Sequence, residues 1–236
     1  MTSIFSDRTG AYELLYSFKD YVSEARVIRE LLVSEGHPNG SLLDVGCGPA
    51  DHLAHLTEHY EVAGIDLSEG FIERACERLP RGRFEVADMA DFDLDAPFDV
   101  VISLFSAIGY AKTRERLAMT MRCLARHVAP SGIILIEPWF EPDAWKSGHT
   151  NLTTYDGEVK IARVTRSDRD GIVSSFEAAY VVAGPDGIDQ WNETHELGLF
   201  THEEQLELLE ENGLSARFEE VEGLSGRGLI IAKKPI

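Results

Sequence analysis

A chain of 236 residues, 44% of them hydrophobic, has room for one sizeable core and is too apolar for a disordered protein. A formal net charge of −19 disfavours nucleic acid and acidic membranes as partners, and an anionic small substrate would need a local basic site. Cys47, Cys76 and Cys123 are few and spread out, as is typical of reduced thiols. Residues 1–10 have no apolar signal core and no apolar run could span a membrane, so we expect a cytoplasmic protein.

The first half of the chain predicts an alternation of strands and helices. Helical spacing of apolar residues predicts one helix over residues 13–34, which Gly36 and Pro38 end. The predicted strands that follow are 42–46, 62–66, 84–87, 98–103 and 133–136, and the predicted helices are 50–60, 68–79 and 114–128. Continuous apolar strands that alternate with helices indicate a parallel sheet covered on both faces, with its strand-to-helix loops along one edge.

The pattern changes after Glu137. Residues 159–165, 173–182 and 192–199 read as strands joined by Gly-containing turns, which predicts an antiparallel insert. A helix over 203–211 and strands over 216–221 and 228–232 then return to the sheet. We therefore expect a sheet domain of residues 1–137 and 200–236, and an insert of residues 138–199 that acts as a substrate lid.

The first strand ends in a glycine turn that suits a nucleotide-like ligand. Gly46 and Gly48 let the backbone come close to a bound molecule. Asp66 ends the second strand, where a carboxylate can accept both hydroxyls of a ribose, although a helix-capping acid is the plainer interpretation. These features alone suit either a dinucleotide or another adenosine ligand.

Two further acids favour an adenosine ligand without phosphate. Asp51 stands where a dinucleotide site needs glycine, and its charge would repel a pyrophosphate. Asp88 ends the third strand, where it can accept the amine of an adenine, and the Met89 N–H can bond a ring nitrogen. Asp44 can receive loop N–H groups or a ligand's ammonium. The ligand that fits carries ribose, adenine and a charged amino group.

These motifs resemble those of class I S-adenosylmethionine-dependent methyltransferases. Residues 43–48, 64–68 and 87–89 are similar to the first, ribose and adenine motifs of that family, with Pro49-Ala50 in place of the more usual Thr-Gly. The resemblance implies a Rossmann-like, doubly wound α/β fold with a seven-stranded sheet and an antiparallel β insert after strand 5. The cofactor site that it implies comprises Tyr21, Asp44, Gly46, Cys47, Gly48, Asp66, Leu67, Asp88, Met89 and Leu104.

A narrower resemblance covers nearly the whole chain. Residues 12–16, 19–21, 103–110, 137–140 and 225–228 are similar to segments of the nucleotide-linked amino-sugar N-methyltransferases of antibiotic biosynthesis. The activity this implies is S-adenosylmethionine-dependent N-methylation of an amino sugar linked to a nucleoside diphosphate such as dTDP. A homodimer is implied as well. A methyltransferase for another small amine, hydroxyl or carboxylate, and a non-catalytic S-adenosylmethionine-binding protein, are the alternatives.

Several side chains are candidates for the substrate. Tyr16 and Tyr110 are expected to contact the reacting sugar, with a packing role as the alternative. Arg227 lies between two glycines and suits a diphosphate, or else pairs with an acid in a turn. The other candidate substrate ligands are Glu137, Trp139, His195 and Ser225, although Trp139 can instead pack under the insert and a structural role is the favoured interpretation of His195.

No metal site is predicted. His52, His55 and His59 share the predicted helix 50–60 at a spacing compatible with zinc, but the opposite side carries leucines. A solvated helix face is therefore the favoured interpretation of the three histidines.

Overall fold

The computed structural model describes residue 4 and residues 8–236 of the chain. Its helices are α1 (Thr9–Leu15), α2 (Tyr21–Ser34), α3 (Glu69–Arg78), α4 (Arg114–His127) and α5 (His202–Glu211), with short 3₁₀ helices at Leu53–His55 and Ala107–Ala111. Its strands are β1 (Gly40–Val45), β2 (Tyr60–Asp66), β3 (Arg83–Val86), β4 (Phe98–Ser103), β5 (Val128–Ile136), β6 (Thr150–Asp156), β7 (Lys160–Asp170), β8 (Val173–Gly184), β9 (Gly187–Gly198), β10 (Ser215–Glu219) and β11 (Leu229–Lys233).

A seven-stranded sheet in the order β10-β11-β5-β4-β1-β2-β3 forms the centre of the molecule. The pairings among β1 to β5 are parallel, whereas β11 runs antiparallel to both β5 and β10. Because β11 is reversed, its start lies beside the carboxyl end of β5, where Ile230 pairs with Ile136. The predicted α/β class and seven-stranded sheet are confirmed, and the one reversed strand makes the sheet mixed rather than parallel.

The two faces of the sheet bury separate halves of the core. Successive strand residues point to opposite faces, so Leu42 packs with α2 and α3 while Leu43 packs with α4 and α5. Both leucines are fully buried, and burial of one such side chain stabilises the fold by about 1.5–3 kcal/mol. The helices on both faces make the sheet doubly wound, which leaves its carboxyl edge open for a ligand.

The predicted helix over residues 13–34 is wrong near its start, where residues 16–20 separate α1 from α2. Asp20 caps α2 by accepting a hydrogen bond of 2.9 Å from the Ser23 N–H. Tyr16 reaches the cavity described below because of this break.

The predicted helix over residues 50–60 is also wrong, because turns and the 3₁₀ helix Leu53–His55 occupy this stretch. Ala50 has a φ of 63°, which a right-handed helix does not allow. His52 is 8% exposed and its Nε2 lies 2.8 Å from Glu24, so the solvated-face interpretation is wrong for this residue. Across the described residues no group of three metal-ligating side chains forms.

The insert is a separate four-stranded antiparallel sheet in the order β6-β7-β8-β9. The sequence indicated the last three strands but missed β6, whose residues are mostly polar and which lies at the edge of the sheet. One face of this sheet packs on the N-terminal segment, where Ile161 and Tyr180 form a buried cluster with Ile4 and Leu15. Among the described residues, no helix combines the length and the apolar character that crossing a bilayer requires.

Candidate active site

A cavity of about 870 Å³ opens between the carboxyl edge of the central sheet and the insert. The loops after β1 to β4 form one side, and Arg163, Thr165 and Phe176 of the insert form part of the other. A smaller cavity of about 40 Å³ shares Gly46, Gly48 and Leu104 with it and is also lined by Tyr21, Asp44 and Cys47. The sequence-predicted residues that line the larger cavity are Tyr16, Gly46, Gly48, Asp66, Leu67, Asp88, Met89, Leu104, Tyr110, Trp139 and Arg227.

The glycine loop after β1 is held close to β2. The N–H groups of Gly46 and Cys47 both donate to the carbonyl of Ile65, at 2.8 and 3.0 Å. Gly46 has a φ of 82°, and a Cβ added there would lie 2.6 Å from the Cβ of Ala107. Both the positive φ and the close approach to Ala107 therefore require glycine at position 46. Without a side chain there, the loop backbone itself lines the cavity.

Asp66 lines the cavity at the end of β2, and two backbone N–H groups hold its side chain in place. Its Oδ2 accepts from the Gly48 N–H and its Oδ1 from the Ser68 N–H, each at 2.9 Å. Burial raises the pKa of this carboxyl, and the backbone hydrogen bonds oppose the rise without cancelling it. Each carboxylate oxygen has a second lone pair, so Asp66 has acceptor capacity for the two hydroxyls of a ribose.

Asp44 is a buried acid that lacks a partner for one oxygen. Its side chain is 3% exposed, and Oδ1 has no hydrogen-bond partner. Burial, and then the charge of Asp66, raise the pKa of Asp44 to about 8. A ligand ammonium beside Asp44 would supply both the missing hydrogen bond and the missing positive charge. The residues present thus fit a cofactor with an adenosine and a charged amino group.

Binding of that cofactor is expected to release a proton from Asp44. Because the free protein holds the carboxyl mostly protonated below a pH of about 8, pairing with an ammonium must expel the proton, and affinity should rise as the pH approaches 8. Calorimetry at neutral pH in buffers of different ionisation enthalpy should give about one proton released per cofactor bound.

The Asp44→Asn variant is expected to lose this proton release and to bind the cofactor more weakly. Asp99→Asn is the matched control, because Asp99 accepts from Ser41 at the start of β1 rather than at the carboxyl edge. Unchanged proton release in Asp44→Asn would contradict the assignment of the proton.

Asp88 is already engaged by an arginine that the sequence analysis missed. Arg116 of α4 donates to both of its oxygens, at 2.8 and 2.9 Å, and the Ala90 N–H donates to Oδ1 at 2.9 Å. Burial acts to raise the pKa of Asp88, but these hydrogen bonds and the guanidinium charge lower it overall. Met89 and Arg116 also line the cavity, so an adenine that bonds Asp88 would lie beside a cation.

Two tyrosines line the cavity and contact side chains of the insert. Tyr16 Oη accepts a hydrogen bond of 2.7 Å from Nη1 of Arg163, which the insert contributes. Tyr110 lines the same space, and its Oη lies 3.4 Å from Nδ1 of His195. His195 itself is 6% exposed and lies behind Tyr110, not in the cavity lining.

Glu137 is buried behind the cavity wall, whereas Ser225 is an exposed residue that contacts it, and neither lines the cavity. Glu137 is 1% exposed; its Oε2 accepts from the Phe105 N–H at 2.6 Å, and its Oε1 accepts from the Ser225 hydroxyl. Nη2 of Arg227 lies 3.4 Å from the same carboxylate. The structure therefore brings Glu137 and Ser225 together with Arg227, and direct bonds from either residue to a substrate stay a prediction.

Arg227 lies at the cavity wall within an aromatic cluster. Its Nε donates to the Ser106 hydroxyl at 2.9 Å, and its guanidinium lies 5.5 Å from the ring centres of both Trp139 and Phe140. The indole N–H of Trp139 is satisfied by Ser174 at 3.0 Å. The reversed direction of β11 explains this meeting, since Arg227 precedes that strand and Trp139 follows β5.

Positive charge collects around the cavity in a protein of net charge −19. Four of the described residues that line the cavity are basic. The sequence predicted Arg227 but not Lys112, Arg116 or Arg163. Arg163 lies two residues after the buried Ile161 and so on the same face of β7, and a charged residue among inward-facing positions was the available signal. The cavity supplies the local basic site that an anionic substrate requires.

Comparison with known proteins agrees with this site. A family described as a methyltransferase domain matches residues 42–132, from the glycine loop to β5. The dTDP-3-amino-3,4,6-trideoxy-α-D-glucopyranose N,N-dimethyltransferase of Streptomyces venezuelae is 36% identical over 231 residues, which are 95% of this chain and 97% of that protein. The chain belongs to the S-adenosylmethionine-dependent amino-sugar N-methyltransferase family.

Other members of this amino-sugar N-methyltransferase family are equally similar. The dTDP-4-amino-2,3,4,6-tetradeoxy-D-glucose N,N-dimethyltransferase of Saccharopolyspora spinosa is 36% identical, over 98% of this chain and 94% of that protein. The crystal structure of Streptomyces venezuelae DesVI superposes with a TM-score of 0.90 at 34% identity, covering 98% of this chain and 99% of that one. The sugar N-methyltransferase KedS8 from Streptoalloteichus superposes with a TM-score of 0.88 at 35% identity, covering 95% and 93%.

Proposed function

We propose that this protein transfers methyl groups from S-adenosylmethionine to the amino group of a dTDP-linked amino sugar in antibiotic biosynthesis. The observation that carries the proposal is the distribution of charged groups around the cavity of about 870 Å³. The ends of β1 and β2 supply the buried acid Asp44 and the carboxylate of Asp66, whereas the insert and the segment before β11 supply Arg163 and Arg227, beside aromatic rings. One end suits an adenosine with an ammonium, and the other end suits an anionic sugar nucleotide.

The protein's own part in the reaction is to position and to exclude water. Asp44, Asp66 and the glycine loop would hold the cofactor, which when bound supplies an electrophilic methyl group. Tyr16 and Tyr110 stand on the sugar side, where their hydroxyls can orient the amine and the neighbouring sugar hydroxyls. Holding donor and acceptor in one orientation removes most of the entropic cost of the encounter.

The test is an assay against a panel of dTDP-linked amino sugars, with the same sugars lacking the nucleotide as a second arm. Mass spectrometry of the products counts the methyl groups added to each acceptor. Methylation of the dTDP-linked sugars supports the proposal. Methylation of another amine, hydroxyl or carboxylate alone would favour the alternative acceptor, and tight cofactor binding with no turnover would favour a non-catalytic binding protein.

The Arg227→Gln variant is expected to raise KM for a dTDP-linked acceptor. A hydrogen bond to a charged group contributes about 1.5–3 kcal/mol, which corresponds to roughly a 10- to 150-fold increase in KM. The kinetics of a phosphate-free amino sugar should not change, because such an acceptor offers Arg227 no diphosphate. Arg217→Gln is the control, since Arg217 pairs with Glu35 and Glu219 away from the cavity. Equal losses with both acceptors would argue against the diphosphate contact.

Two further expectations accompany this function. The cytoplasmic location and the homodimer remain predictions. Size-exclusion chromatography with light scattering measures the molar mass in solution and so tests the homodimer directly.

A further inference from the structure

Three polar side chains form a continuous series of contacts that begins at the cavity wall and leads inward. Tyr110 lines the cavity, and its Oη lies 3.4 Å from Nδ1 of His195. Nε2 of His195 lies in turn 3.3 Å from Oε2 of Glu193. The side chains of His195 and Glu193 are only 6% and 9% exposed, so the chain of contacts runs from the cavity into the interior of the insert.

Glu193 is held as a carboxylate by several donors. The Trp191 Nε1–H and the Ile4 N–H each donate to its Oε1 at 2.6 Å, in addition to the contact with His195. Burial acts to raise the pKa of Glu193, but the hydrogen bonds from His195, Trp191 and Ile4 lower it overall. An ionised carboxylate only accepts hydrogen bonds, so the ring of His195 must donate its Nε2–H to Glu193.

This arrangement fixes the direction of the contact with Tyr110. A neutral imidazole that donates at Nε2 is an acceptor at Nδ1, so the Tyr110 hydroxyl donates to His195. Phe176 stacks on the imidazole at 4.7 Å and sets the plane of the ring. The oxygen of Tyr110 therefore presents only lone pairs to the cavity. A lone pair at that position can accept an N–H of a protonated amine.

We propose that Tyr110, His195 and Glu193 form a relay that takes the proton from the ammonium form of the sugar substrate. The inference rests on the proposed function. The ammonium N–H bond breaks as the proton passes to Tyr110 Oη, and the hydroxyl proton of Tyr110 passes to His195 Nδ1. The amine becomes neutral with a free lone pair, and the imidazolium is stabilised by the carboxylate of Glu193. Once the methylated product has left, the proton on Nδ1 returns through the Tyr110 hydroxyl to water in the cavity, which restores the starting state.

Methyl transfer to an amine requires a proton acceptor, which the relay supplies. Only the neutral amine is a nucleophile, and each methyl transfer leaves a positive charge on nitrogen that must be neutralised before a second transfer. Tyr110 touches the substrate, whereas His195 and Glu193 act through it. Among the described residues, the other titratable groups near the relay are Tyr12, Tyr16, Tyr180, Arg163 and Asp66. These groups are unchanged in a Glu193 variant, so a comparison with wild type isolates the carboxylate.

The test compares wild type with Glu193→Gln at saturating substrates, from neutral pH to a pH above the pKa of the sugar amine. At neutral pH, kcat of the variant should fall about 10- to 100-fold while KM for both substrates stays within about twofold. The difference should vanish at high pH, because a free amine needs no proton acceptor. Glu177→Gln is the control, since Glu177 is exposed on the neighbouring strand β8.

Two further measurements keep the result interpretable. In ¹⁵N NMR, the His195 signal of wild type is identified as the histidine signal that the His195→Gln variant lacks. Its chemical shifts should show the Nε2–H tautomer. Tyr110→Phe should show the same pH-dependent loss, and adding Glu193→Gln to it should cost nothing more. A rate difference that persists at every pH, or an Nδ1–H tautomer, would overturn the relay. Wild type that methylates no amino sugar would instead refute the proposed function and the relay with it.

Discussion

Gly46→Ala is expected to weaken cofactor binding severely and to lower the stability of the fold. The new Cβ would lie 2.6 Å from the Cβ of Ala107, at a backbone φ of 82° that only glycine adopts readily. Overpacking costs about 1–3 kcal/mol and the backbone strain about 1–3 kcal/mol more, so the loop must move away from Ile65. Displacement of the loop should weaken S-adenosylmethionine binding on the order of 100-fold or more, as measured by calorimetry.

Gly213→Ala separates the collision from the backbone strain. Gly213 follows α5, has the same φ of 82°, and has no atom within 4 Å of the position of an added Cβ. This control should lose about 1–2 kcal/mol in the free energy of unfolding and retain full cofactor affinity. If Gly46→Ala behaved like Gly213→Ala in both measurements, the close approach of the glycine loop would have no role in binding.

Asp66→Ala is expected to weaken cofactor binding about 5- to 150-fold, which corresponds to about 1–3 kcal/mol for the lost hydrogen bonds to a charged group. The substitution removes the acceptor for the ribose and also the acceptor for the Gly48 and Ser68 N–H groups. The carboxylate therefore both contacts the ligand and orders the loop beside it. Calorimetric titration with S-adenosylmethionine measures the loss.

Asp99→Ala is the matched control for Asp66→Ala. Asp99 also receives a backbone N–H, from Ser41 at 2.8 Å, but it lies at the start of β4, at the opposite edge of the sheet. Its loss should lower the melting temperature without changing cofactor affinity. Unaltered affinity in Asp66→Ala would refute the ribose contact.

The cofactor side of the site could be predicted from sequence because its signals are local. An apolar strand that ends in glycines, and acids at the ends of the next two strands, specify the carboxyl edge of a sheet without knowledge of distant contacts. The structure brings Asp44, Asp66 and Asp88 to that edge. It also adds Arg116, whose pairing with Asp88 depends on how α4 packs and leaves no mark in a local pattern.

The acceptor side could be predicted less well, because it depends on non-local pairing. The inward positions of Arg163 and Glu193 follow from the registers of β7, β8 and β9, which side-chain alternation alone does not fix. Tyr16 reaches the cavity through the break before Asp20, which the helical spacing concealed. The contacts behind the wall, such as that of Glu137 with Ser225, join segments far apart in the chain.

The packing of the insert on the N-terminal segment limits how acceptor preference can be altered. Ile4 and Leu15 share a buried cluster with Ile161 and Tyr180, and Tyr16 is bonded to Arg163. A chimera that takes only the insert from a relative would pack non-native side chains against the native α1. It would lose the buried cluster and the bond between Tyr16 and Arg163. Both segments would have to be exchanged together, while the methyl-donor half of the molecule could remain untouched.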